Sequence, residues 1–286
     1  MFMGIDAMAW CEESLTLILR LVYPMVSLAV FLGVPLHPWW LRPQIINYTF
    51  WMKEIQDVTI VLPIRKSGAT ETGTGPRPFA GRGSREAMSL LHWKIEQLLE
   101  VSEPTNILVS SNWDLALDVA SAYGVRAVRR PEHLAQPDAR FEQVIHHCAS
   151  LVDTTHIAWS PATLPFMGPS EIRGTIASYM GLDSVDKESG MVAVSEERAY
   201  FFMGGHPLNF PVGKGHVRTQ DIQPMVKLNW AFSIRPTEIV KAMSYMFAEA
   251  PNFFLIDRLA NFHLSDESDF KMAQALTRLY EERIHP

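Results

Sequence analysis

Arg65 ends an apolar, β-branched run, Val58 to Arg65 (VTIVLPIR), and opens into a Gly/Ser/Thr-rich stretch over residues 66–85. A guanidinium at the carboxyl end of a strand, followed by small residues that let backbone N–H groups approach, suits a polyphosphate. Polar residues recur after later apolar runs, at Ser110 to Asn112, at Arg129–Arg130 and through Pro161 to Pro165. The histidines carry less. His146 and His147 are adjacent on a helix, point to different faces, and cannot chelate as an i, i+4 pair would. His133 and His156 read as structural. Asp266, Glu267 and Asp269 open a helix, where a cap and a metal ligand are both consistent with their type.

The elements that must position these groups alternate. VTIVLPI reads as a buried strand. Ser89 to Val101 puts Leu90, Leu91, Ile95, Leu98 and Leu99 on one helical face. Asn106 to Ser110 is a second strand, and Trp113 to Tyr123 a helix closed by Gly124. Val125 to Val128 is a third strand, Phe141 to Val152 a helix, and His156 to Trp159 a fourth strand entering a Pro-rich loop. Such alternation predicts a three-layer α/β fold with a mostly parallel sheet, whose ligands bind beyond the carboxyl ends of the strands. Further on, Gly181 to Gly190 reads as a loop, and Met191 to Val194 and Ala199 to Met203 as strands. Gly204 to Gly215 is a turn-rich excursion. Asn229 to Ile234 reads as a strand, Pro236 to Ala248 as a helix with Pro in its first turn, and Asp266 to Arg283 as a final helix capped by Ser265. The Met and Phe residues of AMSYMFAEAPNFF recur at helical spacing and read as core.

Composition bounds the function. The chain has 286 residues, 48% of them hydrophobic, and a net charge of −6. An acidic balance excludes nucleic-acid binding through a broad basic face, while leaving room for a local anion site. Cys11 and Cys148 make no disulfide framework and no CxxC knuckle, which fits a reducing, cytoplasmic setting. Residues 1–57 differ in kind, with few charges and an apolar stretch over residues 15–36 interrupted by Arg20, Pro24 and Pro35. Three readings stand for this segment: membrane contact or spanning by residues 15–36, a helical appendage, or translation starting at Met52. The domain proper then runs over residues 58–286.

Several ordered blocks between Val58 and Tyr280 resemble the cytidylyltransferases that activate sialic acids and related 3-deoxy-2-ulosonic acids as CMP-sugars. LPIR is similar to that family's first strand. Arg77-Pro78-Phe79-Ala80-Gly81 lies at the spacing of its RPLAG segment, and ILVSSN resembles its VVVSTD. YGVRAVRRPEHLA is the most specific block. ATLPF, VRTQDIQPMVKLNWAF and SDESDFKMAQAL follow in the family's order.

The resemblance implies a nucleotidyltransferase fold of the nucleotide-diphospho-sugar transferase type, with an excursion over about residues 199–216 that builds a homodimer. It implies transfer of CMP from CTP to a sugar acid with release of pyrophosphate and help from Mg²⁺, for surface-glycan synthesis. Carried over by position, Arg65 and Arg77 would neutralise phosphate charge, and Arg65, Ser67 and Gly68 would lie in the nucleotide loop. Ser110, Ser111 and Arg130 would lie near base and ribose, and Thr163 at the floor. Arg218, Gln220 and Asn229 would face the sugar acid, the Arg gripping its carboxylate, and Asp266 would be the metal carboxylate. The chain departs from the family where loop lysines would stand, at Ala69, Thr74 and Gly75, and at Pro161 and Met167. It departs again at the two metal aspartates, where His263 and Ser265 stand. A second reading therefore follows, a protein of this fold that binds nucleotide or sugar, or serves as an assembly partner, without turnover.

Overall fold

Val58, Ile60, Val61 and Leu62 have no exposed surface, as a strand covered on both sides of a parallel sheet requires. The structure, a computed structural model, describes residues 55–66 and 90–284, all within one compact unit, Met52–Pro286. Residues 1–54, 67–89, with Ser67, Gly68 and Arg77 among them, and 285–286 lie outside the described residues.

The first strand, β1, is Val58–Pro63. Helix α1 (Leu90–Leu99) precedes β2 (Ile107–Ser111), α2 (Asp114–Ala122), β3 (Arg126–Arg129), α3 (Phe141–Ala149) and β4 (His156–Trp159). Helices α4 (Pro169–Met180) and α5 (Ser184–Ser189) lead to β5 (Met191–Glu197). After β6 (Phe202–Met203), β7 (His206–Pro207) and β8 (Met225–Lys227) come β9 (Ser233–Pro236) and α6 (Thr237–Met243). Strand β10 (Asn252–Leu255) and helix α7 (Glu267–Ile284) complete the described chain. The main sheet runs β10-β5-β9-β4-β1-β2-β3, with β8 added against β5. Strands β1 to β4 are mutually parallel, and β9 lies antiparallel between β4 and β5. The α/β layering and mostly parallel sheet agree with the sequence pattern. No helix among the described residues is long and apolar enough to cross a membrane.

Some boundaries differ from the sequence reading. Helix α6 stops at Met243 because Ser244 turns left-handed at φ 55°. Residues beyond it therefore form no continuous helix, although Met246 is buried, and Asn252–Leu255 is a strand. Helix α5 forms inside the segment read as loop, capped by the Asp183 carboxylate on the Asp186 N–H (2.8 Å). Strand β9 begins four residues later than expected. Only Phe202–Met203 of the expected 199–203 strand pairs; Gly204 and Gly205 join it to β7 at φ 59° and 83°, the two positive values that a type I′ hairpin turn demands.

The loop leaving β4 is held by α1. Its carbonyls have no ladder partner, so side chains supply the donors: Trp93 Nε1 and Gln97 Nε2 donate to the Pro165 carbonyl (2.7 and 2.9 Å), and Lys94 Nζ to that of Met167 (2.8 Å). Gln97 also reaches Tyr280 Oη of α7 (3.1 Å). Tyr280 packs so close that a Cβ at Gly168 would lie 1.9 Å from its hydroxyl. Lys94 is wholly buried, and burial pulls its amine down to about 7, with Glu171 opposing. Above about pH 7 the folded state holds this amine neutral while the unfolded chain keeps its proton until about 10.5, so stability should rise with pH across that interval. Thermal melts between pH 7 and 9 should show this rise, and Lys94→Met should flatten it relative to the parent protein.

Candidate functional site

The carboxyl ends of β1, β3 and β4 meet one cavity of about 490 Å³, with β2 between β1 and β3. Parallel pairing aligns them: Pro63 of β1 faces Ser110 of β2, and Ser111 faces Arg129 of β3. The ladder then runs on past the strand ends, with the Ile64 N–H donating to Ser110 O (2.9 Å), Arg130 N–H to Ser111 O (2.8 Å) and Ser160 N–H to Val61 O (2.9 Å). Asn112 ties the rim, accepting from the Lys66 N–H (3.0 Å) and donating to Glu132 (3.2 Å).

Arg65 and Arg130 supply the cavity's positive charge. Alternation along β3 sends the neighbouring arginines to different fates. Arg129 lies outside and pairs with Asp114, while Arg130 is buried. The Arg130 guanidinium donates through Nη2 to Ser110 O (2.7 Å) and through Nε to Ser110 Oγ (3.2 Å). Burial lowers its pKa most; the Cys148 thiol opposes this, and the charge on Arg65 adds to it. Arginine stays charged regardless. Two mutually repelling cations thus share a cavity whose described lining holds no carboxylate, which is an anion site by charge.

Phe141, Trp159 and Trp230 give the cavity an aromatic side, and aliphatic residues such as Leu134, Val144 and Leu264 line more of it. Phe141 stands edge-on to Trp159 (5.7 Å) and Trp230 (4.9 Å). Trp230 packs in turn on Tyr245 (5.6 Å) and Phe247 (5.0 Å). Its backbone has φ 61°, a conformation that costs a bulky residue on the order of 1–3 kcal/mol and persists only where the surroundings hold it. Asn229, just before it, donates to Asn261 O (2.7 Å). His263 also lines the cavity, its Nδ1 sharing a hydrogen bond with Ser265 Oγ (3.0 Å). Burial lowers its pKa, Asp269 opposing and Lys227 adding, so at neutral pH the imidazole is uncharged.

Of the residues singled out from the sequence, the fold brings Arg65, Arg130, Thr163 and Asn229 to the cavity. Ser110 and Ser111 are buried beneath it: Ser110 holds Arg130, and Ser111 Oγ accepts the Trp113 N–H (3.0 Å). Arg218 and Gln220 are exposed and outside the cavity lining, and Arg218 pairs with Asp221 (2.8 Å). Asp266, not Ser265, caps α7; its Oδ1 accepts the N–H groups of Ser268 (2.8 Å) and Asp269 (3.0 Å), and Asp269 accepts the Ser265 N–H (2.8 Å). Mg²⁺ prefers several hard oxygens, and no group of three or more potential ligands gathers among the described residues. These carboxylates, tied to backbone N–H groups, do not fit a protein-held Mg²⁺ set. Sequence reasoning missed Phe141, Trp159 and Trp230 as site residues, because their convergence comes from tertiary packing.

No protein-family model matches the chain, and no curated protein matches it in sequence. Solved structures do match in fold. A 4-diphosphocytidyl-2C-methyl-D-erythritol synthase from Anaerococcus prevotii superposes with a TM-score of 0.55 at 10% identity, covering 80% of this chain and 99% of that one. A CMP:2-keto-3-deoxy-manno-octonic acid synthetase complexed with CTP gives 0.53 at 9% identity, covering 78% and 98%. A further 4-diphosphocytidyl-2C-methyl-D-erythritol synthase gives 0.50 at 13% identity, covering 78% and 98%. The chain therefore shares the nucleotidyltransferase fold of the cytidylyltransferases.

The two arginines should separate in a mutational test. Arg65→Ala should leave the urea midpoint nearly unchanged, as exposed substitutions do, and should weaken binding of inorganic tripolyphosphate about tenfold or more, read by calorimetry. Arg130→Ala should also destabilise the fold by about 1–3 kcal/mol, since it removes a buried side chain together with both of its hydrogen bonds to Ser110.

Proposed function

We propose that this chain is a nucleotidyltransferase that moves CMP from CTP onto a sialic-acid-like sugar acid, releasing pyrophosphate, in the making of surface-glycan precursors. The observation that carries the reading is the pair of guanidiniums, Arg65 and Arg130, on a largely apolar cavity whose described lining holds no carboxylate. Phosphoryl-type transfer asks a protein mainly for positioning and for charge placed where the leaving group becomes more negative. Arg130 cannot swing away, because Ser110 holds it by two hydrogen bonds. Arg65, at the exposed end of β1, is free to follow the phosphates. Asn229 and the neutral His263 stand on the β9 side of the cavity, where they suit hydrogen bonding to an acceptor hydroxyl. Ser67, Gly68 and Arg77 complete the nucleotide loop in this reading. Mg²⁺ would add charge neutralisation when bound with the nucleotide. Exposed Phe202, Met203, Leu208 and Val212 on the β6–β7 excursion favour a homodimer. A cytoplasmic location suits use of CTP.

One observation favours binding without turnover. Asp266 and Asp269 both satisfy backbone N–H groups at the start of α7, which leaves them poorly disposed to hold a metal. Pyrophosphate release from the full chain with CTP, Mg²⁺ and a panel of sialic-type acids decides between the readings. Release with at least one acid is the expected result. A CTP-dependent rise in melting temperature without release from any acid would establish the binding role instead. No rise with CTP at all would exclude turnover and nucleotide binding alike.

A further inference from the structure

We propose that Trp230 is the platform on which the acceptor's sugar ring stacks, and thus a specificity-determining residue of the site; this rests on the functional reading above. Arg218 and Gln220, which would face the sugar acid on resemblance, stand outside the cavity lining. Acceptor recognition must then come from residues that do line it. Trp230 lies three residues before β9, a strand two positions from β1 and four from β3. At about 4.8 Å per strand, β9 lies about 10 Å from β1 and about 19 Å from β3. That span leaves room for a triphosphate and its acceptor side by side along the strand ends.

The indole is set rather than loose. Phe141, Tyr245 and Phe247 surround it, and its backbone adopts a positive φ that glycine would take without strain. Keeping a tryptophan there fixes a large, rigid aromatic surface at the cavity wall. An aromatic face is electron-rich and attracts polarised C–H groups, such as those on one side of a pyranose ring. Asn229 and His263, on the same flank, offer an amide and a neutral imidazole to the ring's hydroxyls. No acid on the described lining competes for them or repels a carboxylate.

The test compares the full-length protein with Trp230→Gly and Trp230→Phe. Binding of N-acetylneuraminate and of 3-deoxy-manno-octulosonate is measured by calorimetry and saturation-transfer NMR, and CTP binding is measured in parallel. In the parent protein, ring C–H protons of the bound acid should receive the strongest saturation. Trp230→Gly should weaken acid binding at least tenfold with less than a twofold change for CTP, and Trp230→Phe should retain most of the affinity. Should Trp230→Gly fail to fold, Trp230→Asn, which also tolerates the left-handed backbone and has no aromatic face, takes its place with the same expected loss of acid affinity and intact CTP affinity. Unchanged acid affinity in Trp230→Gly would overturn the proposal. An equal loss for CTP would overturn it too, by assigning the indole to the base. If CTP does not bind and acid binding still depends on Trp230, the platform stands and the nucleotidyl-transfer reading falls. If no acid binds the parent protein, the platform falls.

Discussion

The chain leaving β4 must turn across the carboxyl ends of the sheet, and there its carbonyls lose the ladder that satisfied them. Burying such groups without partners would cost about 1–3 kcal/mol each. Helix α1 solves this with Trp93, Lys94 and Gln97, which donate to Pro165 and Met167. The same Gln97 meets Tyr280 of α7, and Leu90, Phe166, Leu264 and Phe270 form one apolar cluster around the junction. Thr163 sits at the cavity as part of this loop, and its carbonyl accepts the Leu264 N–H (2.9 Å), which brings the His263 segment against the floor. Without these donors the floor of the site and the helix that closes it would have no common anchor.

Charge is organised by the same backbone logic. The alternation of a strand sends Arg129 to solvent and its neighbour Arg130 inward. An inward guanidinium needs acceptors, and Ser110 offers both its carbonyl and its hydroxyl. Cys148 lies next to this pair; burial raises its thiol pKa, with the Ser110 hydrogen bond and Arg130 opposing, so it remains a neutral neighbour. His147 is also kept uncharged, by burial first and then by Arg130, His133 and His146. The cation is therefore surrounded by groups that neither neutralise it nor add a negative charge. Its field remains available to an anion entering from the strand ends.

How much of this was legible in the sequence follows from which forces are local. Strands β1 and β2 announce themselves through apolar, β-branched runs, and Gly124 ends α2 at φ 73° as its position suggested. Arg65 and Arg130 were found because strand ends in a parallel sheet converge whatever the side chains. Strand β10 was missed because its outward Phe253 and Leu255 are exposed on an edge strand, so NFFL merges with the apolar run before it. The late start of β9 reflects the left-handed Trp230, a conformation that packing imposes and no propensity favours. The aromatic wall was invisible for the same reason. Phe141, Trp159 and Trp230 are far apart in sequence and meet only after the sheet forms.

The departures from the family pattern share a direction. Where two metal-binding aspartates would stand, the chain has His263 and Ser265, and these two share a hydrogen bond. Asp266, the nearest carboxylate, turns toward the start of α7, where the exposed N–H groups of a helix offer it strong partners. A carboxylate so engaged would have to release two backbone donors before it could ligate a cation, and the helix end would then be left unsatisfied. The residues that remain pointed at the cavity are cationic, aromatic or neutral. Positive charge at the described face thus comes from arginine alone, beside an indole, an amide and an imidazole, an arrangement set by which side chains the fold leaves unengaged.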